Sequence, residues 1–281
     1  MYLATAKVAD SNETPVVVVP DRGVCRVADL DPGRTGDLVG VLGDFDRLAQ
    51  AAKSAPDQVF TDVADADFVA PYRHPRKIWG IGLNYVEHAG DLSEQVPTEP
   101  ASFIKGDHTI IGPGDPIPVP PQSSRTTAEA ELGLVIGTEC YRVGEDEALD
   151  YVAGVCPVLD QTAEDILERN PRFLTRSKNF PGFFSFGPWI TRLDDVLAHT
   201  GSLDAVEVST VINGVVHRSN VVANMTFDPA FLVSFHSQVM PLFPGDIIST
   251  GTPGAVRITP GDVVECRIPG VGVLANPVVA G

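Results

Sequence analysis

Residues Thr126 to Gly137 read TTAEAELGLVIG. The second half, with Leu132, Leu134, Val135 and Ile136 running into a glycine, has the composition of a buried strand. The first half places two carboxylates, Glu129 and Glu131, where that strand begins. Strand residues two apart point to the same face, so two negative charges lie side by side at the edge of an apolar core. In an acidic protein such an E-x-E pair is compatible with a solvated strand edge. It becomes a site only if a third group converges on it.

Asp160 is the candidate. The run Val155-Cys156-Pro157-Val158-Leu159 is apolar and ends in this lone acid, with a short helix over 163–168 after it. Three converging carboxylates cannot all stay ionised without a cation, because like charges raise each other's pKa. A cluster of oxygen ligands without Cys or His suits a hard ion such as Mg²⁺, Mn²⁺ or Ca²⁺.

The rest of the chain sets the frame. Hydrophobic residues make up 43% of the 281, enough for a sizeable core. The 26 glycines and 24 prolines favour many short strands joined by turns over a helix bundle. A net charge of −17 argues against nucleic acid and anionic membranes as partners, and an anionic substrate would need a locally positive pocket. Cys25, Cys140, Cys156 and Cys266 have no metal-binding spacing and read as reduced, buried thiols. The N-terminus carries no leader pattern, and no stretch reaches the ~18 apolar residues of a membrane span, so the expectation is a cytoplasmic protein.

Residues 1–70 read as a module apart, with strands at Val16–Val19 and Val24–Val27 and a helix capped by Asp44. Residues 71–76 look like a linker, and 71–281 form the second domain. In it, Asn84 to Ala89 reads as a helical turn, 112–121 as loop and edge, and 145–152 as a short helix. Asp228-Pro229 starts another helix, and strands over 247–250, 263–268 and 271–274 close the chain.

The ordered motifs IGLNYVEHA, Phe103 to Lys105, AEAELGLVIG, YVAGVCPVLDQTAED, the lysine of RSKNF, INGVVHRSN and LFPGDIISTGTPGAV resemble the fumarylacetoacetate hydrolase family over most of residues 77–280. The resemblance implies an α+β, β-rich fold: a mixed, mainly antiparallel β-sheet roll with a small N-terminal α/β domain. It also implies a homodimer and a divalent-metal site of Glu129, Glu131 and Asp160 using Mg²⁺ or Mn²⁺. The substrate class it implies is a 2-oxo acid or diketo acid.

The same resemblance assigns roles that spacing alone does not. His88 and Asp91 sit three apart, which would suit a carboxylate orienting a basic imidazole, or merely a surface histidine near an acid. Family members that cleave acylpyruvates have a His and then a Glu three later as the water-activating pair; here the acid is the shorter Asp91. Lys178 matches the lysine that neutralises charge developing on the substrate. Thr250 and Gly251 match pocket-lining positions suited to a substrate carboxylate. Lys105 is a weaker substrate-binding candidate whose stem could simply pack. His74, His108, His199, His217 and His236 have no partner pattern.

Two departures stand out. Glu164 replaces the Arg of the family's D-x-[ST]-x-R motif, and no Asp follows Lys178. The charge reversal argues against a second substrate carboxylate and against fumarylpyruvate-like substrates. The expected activity is hydrolytic C–C cleavage of an acylpyruvate. The alternatives are a decarboxylase, tautomerase, isomerase or dehydratase of oxaloacetate-like acids, and a non-catalytic metal-binding member.

Overall fold

The computed structural model describes residues 1–8, 12–34, 36–85 and 97–281. Its centre is the strand Thr126–Ile136, whose eleven residues are all buried. It pairs antiparallel with Val152–Ala163 along nearly its whole length. A strand covered on both faces has no solvent side, which is why polar alternation fades after Glu131 and gives way to LGLVI. The face carrying Ala128, Ala130, Leu132 and Leu134 packs into the core that holds Val208, Val264, Cys266 and Leu274 of a second sheet. Among the described residues that sheet has five strands: Val215–Val221, Glu207–Ile212, Val263–Ile268, Gly272–Ala280 and Ile117–Val119, in spatial order. The opposite face, through Val135, shares a second core with Val158, Cys156 and the N-terminal Leu38, Leu42 and Leu48.

The free edge of the central strand is used twice. Ile247–Ser249 pairs with its C-terminal half, and Val256–Arg257 pairs with its start, so residues 250–255 loop away between them. Ile247–Ser249 continues the sheet to Ile78–Gly82 and then Ala101–Lys105. On the other side the sheet runs through Trp189–Arg192 to Tyr2–Lys7. The strands of the first seventy residues therefore extend this same sheet and share its core. The result is the sheet-rich α+β architecture expected, with few helices.

Several local expectations are corrected. Asp44 does not cap the helix Phe45–Ser54: a 3₁₀ segment, Leu38–Asp44, runs straight into it, and the Asp44 carboxylate pairs with Arg34 and Arg47 instead. The segment 145–152 forms only a 3₁₀ turn, Ala148–Tyr151, too short to pass the helix nucleation cost. Asn84 lies in a buried junction, where its side-chain amide donates to the Phe227 and Thr250 carbonyls and its Oδ1 accepts from the Phe227 N–H. Residues 86–89 of the expected helical turn lie outside the described residues. Asp228 does cap its helix, Pro229–Val239, accepting from the Phe231 N–H at 2.9 Å. All four cysteines are free and buried. Among the described residues no helix is long and apolar enough to cross a membrane.

Candidate metal centre

Register brings the three carboxylates together. Asp160 is the direct cross-strand partner of Glu129, and Glu131 follows on the same face opposite Val158. Directly opposed side chains lie about 5 Å apart at Cβ, so the pairing itself sets the spacing. One carboxylate oxygen from each residue lies within 4.8 Å of the others. Asp160 is fully buried, Glu131 is 1% exposed and Glu129 is 8% exposed.

Two ammonium groups offset this charge. Lys178, at the end of the short helix Leu174–Lys178, donates to Glu129 Oε2 and Asp160 Oδ2, both at 2.8 Å. Its Nζ lies 4.9 Å from the Phe103 ring centroid. Lys105 does more than pack: its fully buried ammonium pairs with the other oxygen of Asp160 and reaches the Gln161 carbonyl at 3.5 Å.

The two lysines respond oppositely. Burial and the Lys178 charge outweigh Asp160 and hold Lys105 below the usual lysine range. For Lys178, burial is outweighed by Asp160, Glu129 and Glu131 together, and its pKa lies above that range. Burial, reinforced by Asp160 and Glu129, pushes the Glu131 carboxyl up to about 8.

Neutral donors fix the carboxylates. Ser249 Oγ donates to Glu131 Oε2 at 2.5 Å, and the Gly251 N–H donates to the same oxygen at 2.9 Å. Thr162 Oγ donates to Glu129 Oε1 at 2.6 Å. Neither Ser249 nor Thr162 is singled out by sequence reasoning. Thr250 and Gly251, expected to face substrate, have internal partners instead: the buried Thr250 hydroxyl donates to the Leu132 carbonyl, and the Gly251 N–H is taken by Glu131. Gly251 has φ +99°, and a Cβ there would stand 2.8 Å from Asn84 Cβ, so the turn that aims this N–H at Glu131 requires glycine. Removing a donor that orients a metal-binding carboxylate typically lowers affinity about 10–100-fold. Ser249→Ala is expected to weaken Mn²⁺ binding by that factor, read by titration calorimetry, with the fold intact.

The reversed charge at Glu164 is paired. Arg125, its backbone neighbour across the two strands, binds Glu164 through Nε at 2.7 Å and also pairs with Glu168. His88 and Asp91 lie outside the described residues. None of the five other histidines enters the carboxylate cluster: His74 pairs with Asp107, His108 contacts the Asn179 carbonyl, and buried His236 donates from Nδ1 to the Leu232 carbonyl.

The donor set fits a hard divalent ion. It offers three buried carboxylates, oriented by hydroxyl and amide donors, with oxygen as the only ligand type. Lys178 already places a positive charge between Glu129 and Asp160.

Residues 77–279 match the family model described as fumarylacetoacetate (FAA) hydrolase, C-terminal. The chain is 35% identical over 241 residues to a mitochondrial oxaloacetate tautomerase from Xenopus laevis, covering 82% of this chain and 74% of that protein. It is 32% identical over 257 residues to a 2,4-didehydro-3-deoxy-L-rhamnonate hydrolase from Sphingomonas sp., covering 88% of each. Among solved structures it is similar to a maleylpyruvate hydrolase from Sphingobium sp. SYK-6 in complex with manganese(II) and pyruvate, with TM-score 0.82, 27% identity and 100% of both chains covered.

Proposed function

Because this chain belongs to the fumarylacetoacetate hydrolase family, we propose that it is a divalent-metal-dependent hydrolase cleaving a C–C bond in an acylpyruvate or related 1,3-diketo acid. The observation that carries this reading is the buried Glu129–Glu131–Asp160 cluster with the Lys178 ammonium seated on two of its members. A bound Mg²⁺ or Mn²⁺ supplies Lewis-acid polarisation of a substrate carbonyl. The three carboxylates hold it, and Ser249, Gly251 and Thr162 keep them aimed. Lys178 stands where negative charge develops and stabilises the enolate oxygen of the departing 2-oxo acid. His88, oriented by Asp91, takes a proton from the water that adds to the distal carbonyl. The C–C bond then breaks, its electrons pass to the enolate, and His88 returns the proton to give two acids.

A second reading is keto–enol tautomerisation of an oxaloacetate-like acid, favoured by the likeness to the Xenopus tautomerase and by the short Asp91 in the dyad. It needs no nucleophilic water. The test is a screen with Mn²⁺ or Mg²⁺ present, following the enol absorbance of acylpyruvates and of oxaloacetate, with products identified by mass. Two acids from an acylpyruvate support hydrolysis, and His88→Ala should then lower turnover about 10²–10⁴-fold with metal binding unchanged. Absorbance loss at unchanged mass supports tautomerisation, and inertness across the panel overturns both.

A further inference from the structure

We propose that Asn84 is a positioning residue for Glu131, acting through the one peptide group that joins Thr250 to Gly251, an assignment that rests on the metal-centre reading above. The carbonyl of that peptide accepts from Asn84 Nδ2 at 2.7 Å, and its N–H donates to Glu131 Oε2 at 2.9 Å. The peptide is trans, so its C=O and N–H point in opposite directions. A donor on one side and a carboxylate on the other therefore fix the same plane, and the two hydrogen bonds polarise each other through it. Ser249 Oγ donates to the same Glu131 oxygen. Glu131 is thus aimed by one side chain directly and by a second through the backbone.

The peptide needs such a holder. Thr250 is anchored, its N–H and its hydroxyl both donating to the Leu132 carbonyl, at 3.1 and 2.9 Å. Gly251 follows with φ +99°, where a glycine turns freely. Rotation about the two bonds flanking the peptide would exchange its ends and present the Thr250 carbonyl, not the Gly251 N–H, to Glu131. Asn84 opposes this from a rigid seat. It is fully buried, and its own backbone carbonyl accepts from the Thr226 N–H at 2.7 Å. Its side chain is saturated: Nδ2 also donates to the Phe227 carbonyl at 2.9 Å, and Oδ1 accepts from the Phe227 N–H at 2.8 Å. A flipped amide would set an oxygen against two carbonyls, so one orientation fits. An ionised aspartate here would keep the shape and the acceptor for Phe227 but would have no proton for Thr250.

The first test uses the native protein, isotopically labelled. In amide NMR spectra, titration with Mg²⁺ should move the Gly251 amide signal and the Asn84 side-chain signals along one binding curve, the proton facing Thr250 more than the one facing Phe227. The second uses Asn84→Asp. Its Gly251 amide proton should shift upfield as the bond to Glu131 loosens, and its Mn²⁺ affinity by titration calorimetry should fall about 10–100-fold. Should this variant not fold, the native titration decides alone. Stationary Asn84 side-chain signals while Gly251 moves, or a folded Asn84→Asp with native Mn²⁺ affinity, overturn the role of Asn84 and leave the metal centre standing. A fall in affinity with the Gly251 signal unmoved makes Asn84 a strut of the fold and overturns the role too. Binding of neither Mg²⁺ nor Mn²⁺ by the native protein overturns the metal-centre reading and this proposal with it.

Discussion

Asp160→Asn is expected to lose divalent-metal binding and to destabilise the metal-free fold by about 3–5 kcal/mol, the usual cost of breaking a buried ion pair from one side. Asp160 serves two lysines, one on each oxygen. Lys178 retains Glu129 at 2.8 Å, but Lys105 retains only the Gln161 carbonyl at 3.5 Å, with its side chain fully buried. The deficit should appear as a fall in melting temperature of roughly 6–15 °C. The deficit should depend on pH. Burial already holds the Lys105 pKa below its ordinary value, and loss of Asp160 depresses it further. At Lys105 the unfolded chain then binds more protons than the native one, and loss of Asp160's repulsion lowers the raised Glu131 pKa, so both groups narrow the deficit on the alkaline side. Adding Lys105→Met should recover most of the stability at neutral pH without restoring metal binding. Unfolding of Asp160→Asn at the native temperature would mean that Lys105 does not depend on Asp160.

The same residues show where sequence is legible. Glu129 and Glu131 declare themselves through the period of two, and Asp160 by ending an apolar run. What no local pattern states is that Asp160 falls opposite Glu129, since that depends on the register of a pairing between strands. Lys105 is hidden for a similar reason: its partner is 55 residues away. Ser249 and Thr250 are the sharper case. They are adjacent, so they point to opposite faces, and sequence alone cannot choose between them. Pairing settles it: Ser249 opposes Gly133, which shares the face of Glu131, so Ser249 meets the carboxylate and Thr250 turns toward the Leu132 backbone. The first seventy residues read as a module apart because nothing in Tyr2–Lys7 announces Trp189–Arg192 as its neighbour. Local periodicity tells which face a residue takes. Register and long-range pairing, which assemble the site, are tertiary facts.

Lys178→Met is expected to separate metal binding from catalysis. The Lys178 ammonium and a divalent ion draw on the same oxygens, Glu129 Oε2 and Asp160 Oδ2. Removing the ammonium takes away a competitor and leaves the carboxylates more exposed to one another's charge, which a divalent ion relieves better than one remaining lysine. Mn²⁺ affinity should therefore hold or tighten, while turnover on whichever keto acid the screen identifies falls about 10²–10³-fold, as for loss of one preorganised donor to a developing oxyanion. Methionine suits the test because its unbranched, apolar side chain can still pack against Phe103. The metal-free variant should melt below the native protein, since Glu129 loses its only ammonium partner among the described residues. Saturating Mn²⁺ should raise its melting temperature by more than it raises that of the native protein, because a ligand stabilises in proportion to its affinity for the folded state. Loss of metal binding together with turnover would make Lys178 a strut for the carboxylates, and unchanged turnover would remove it from the chemistry.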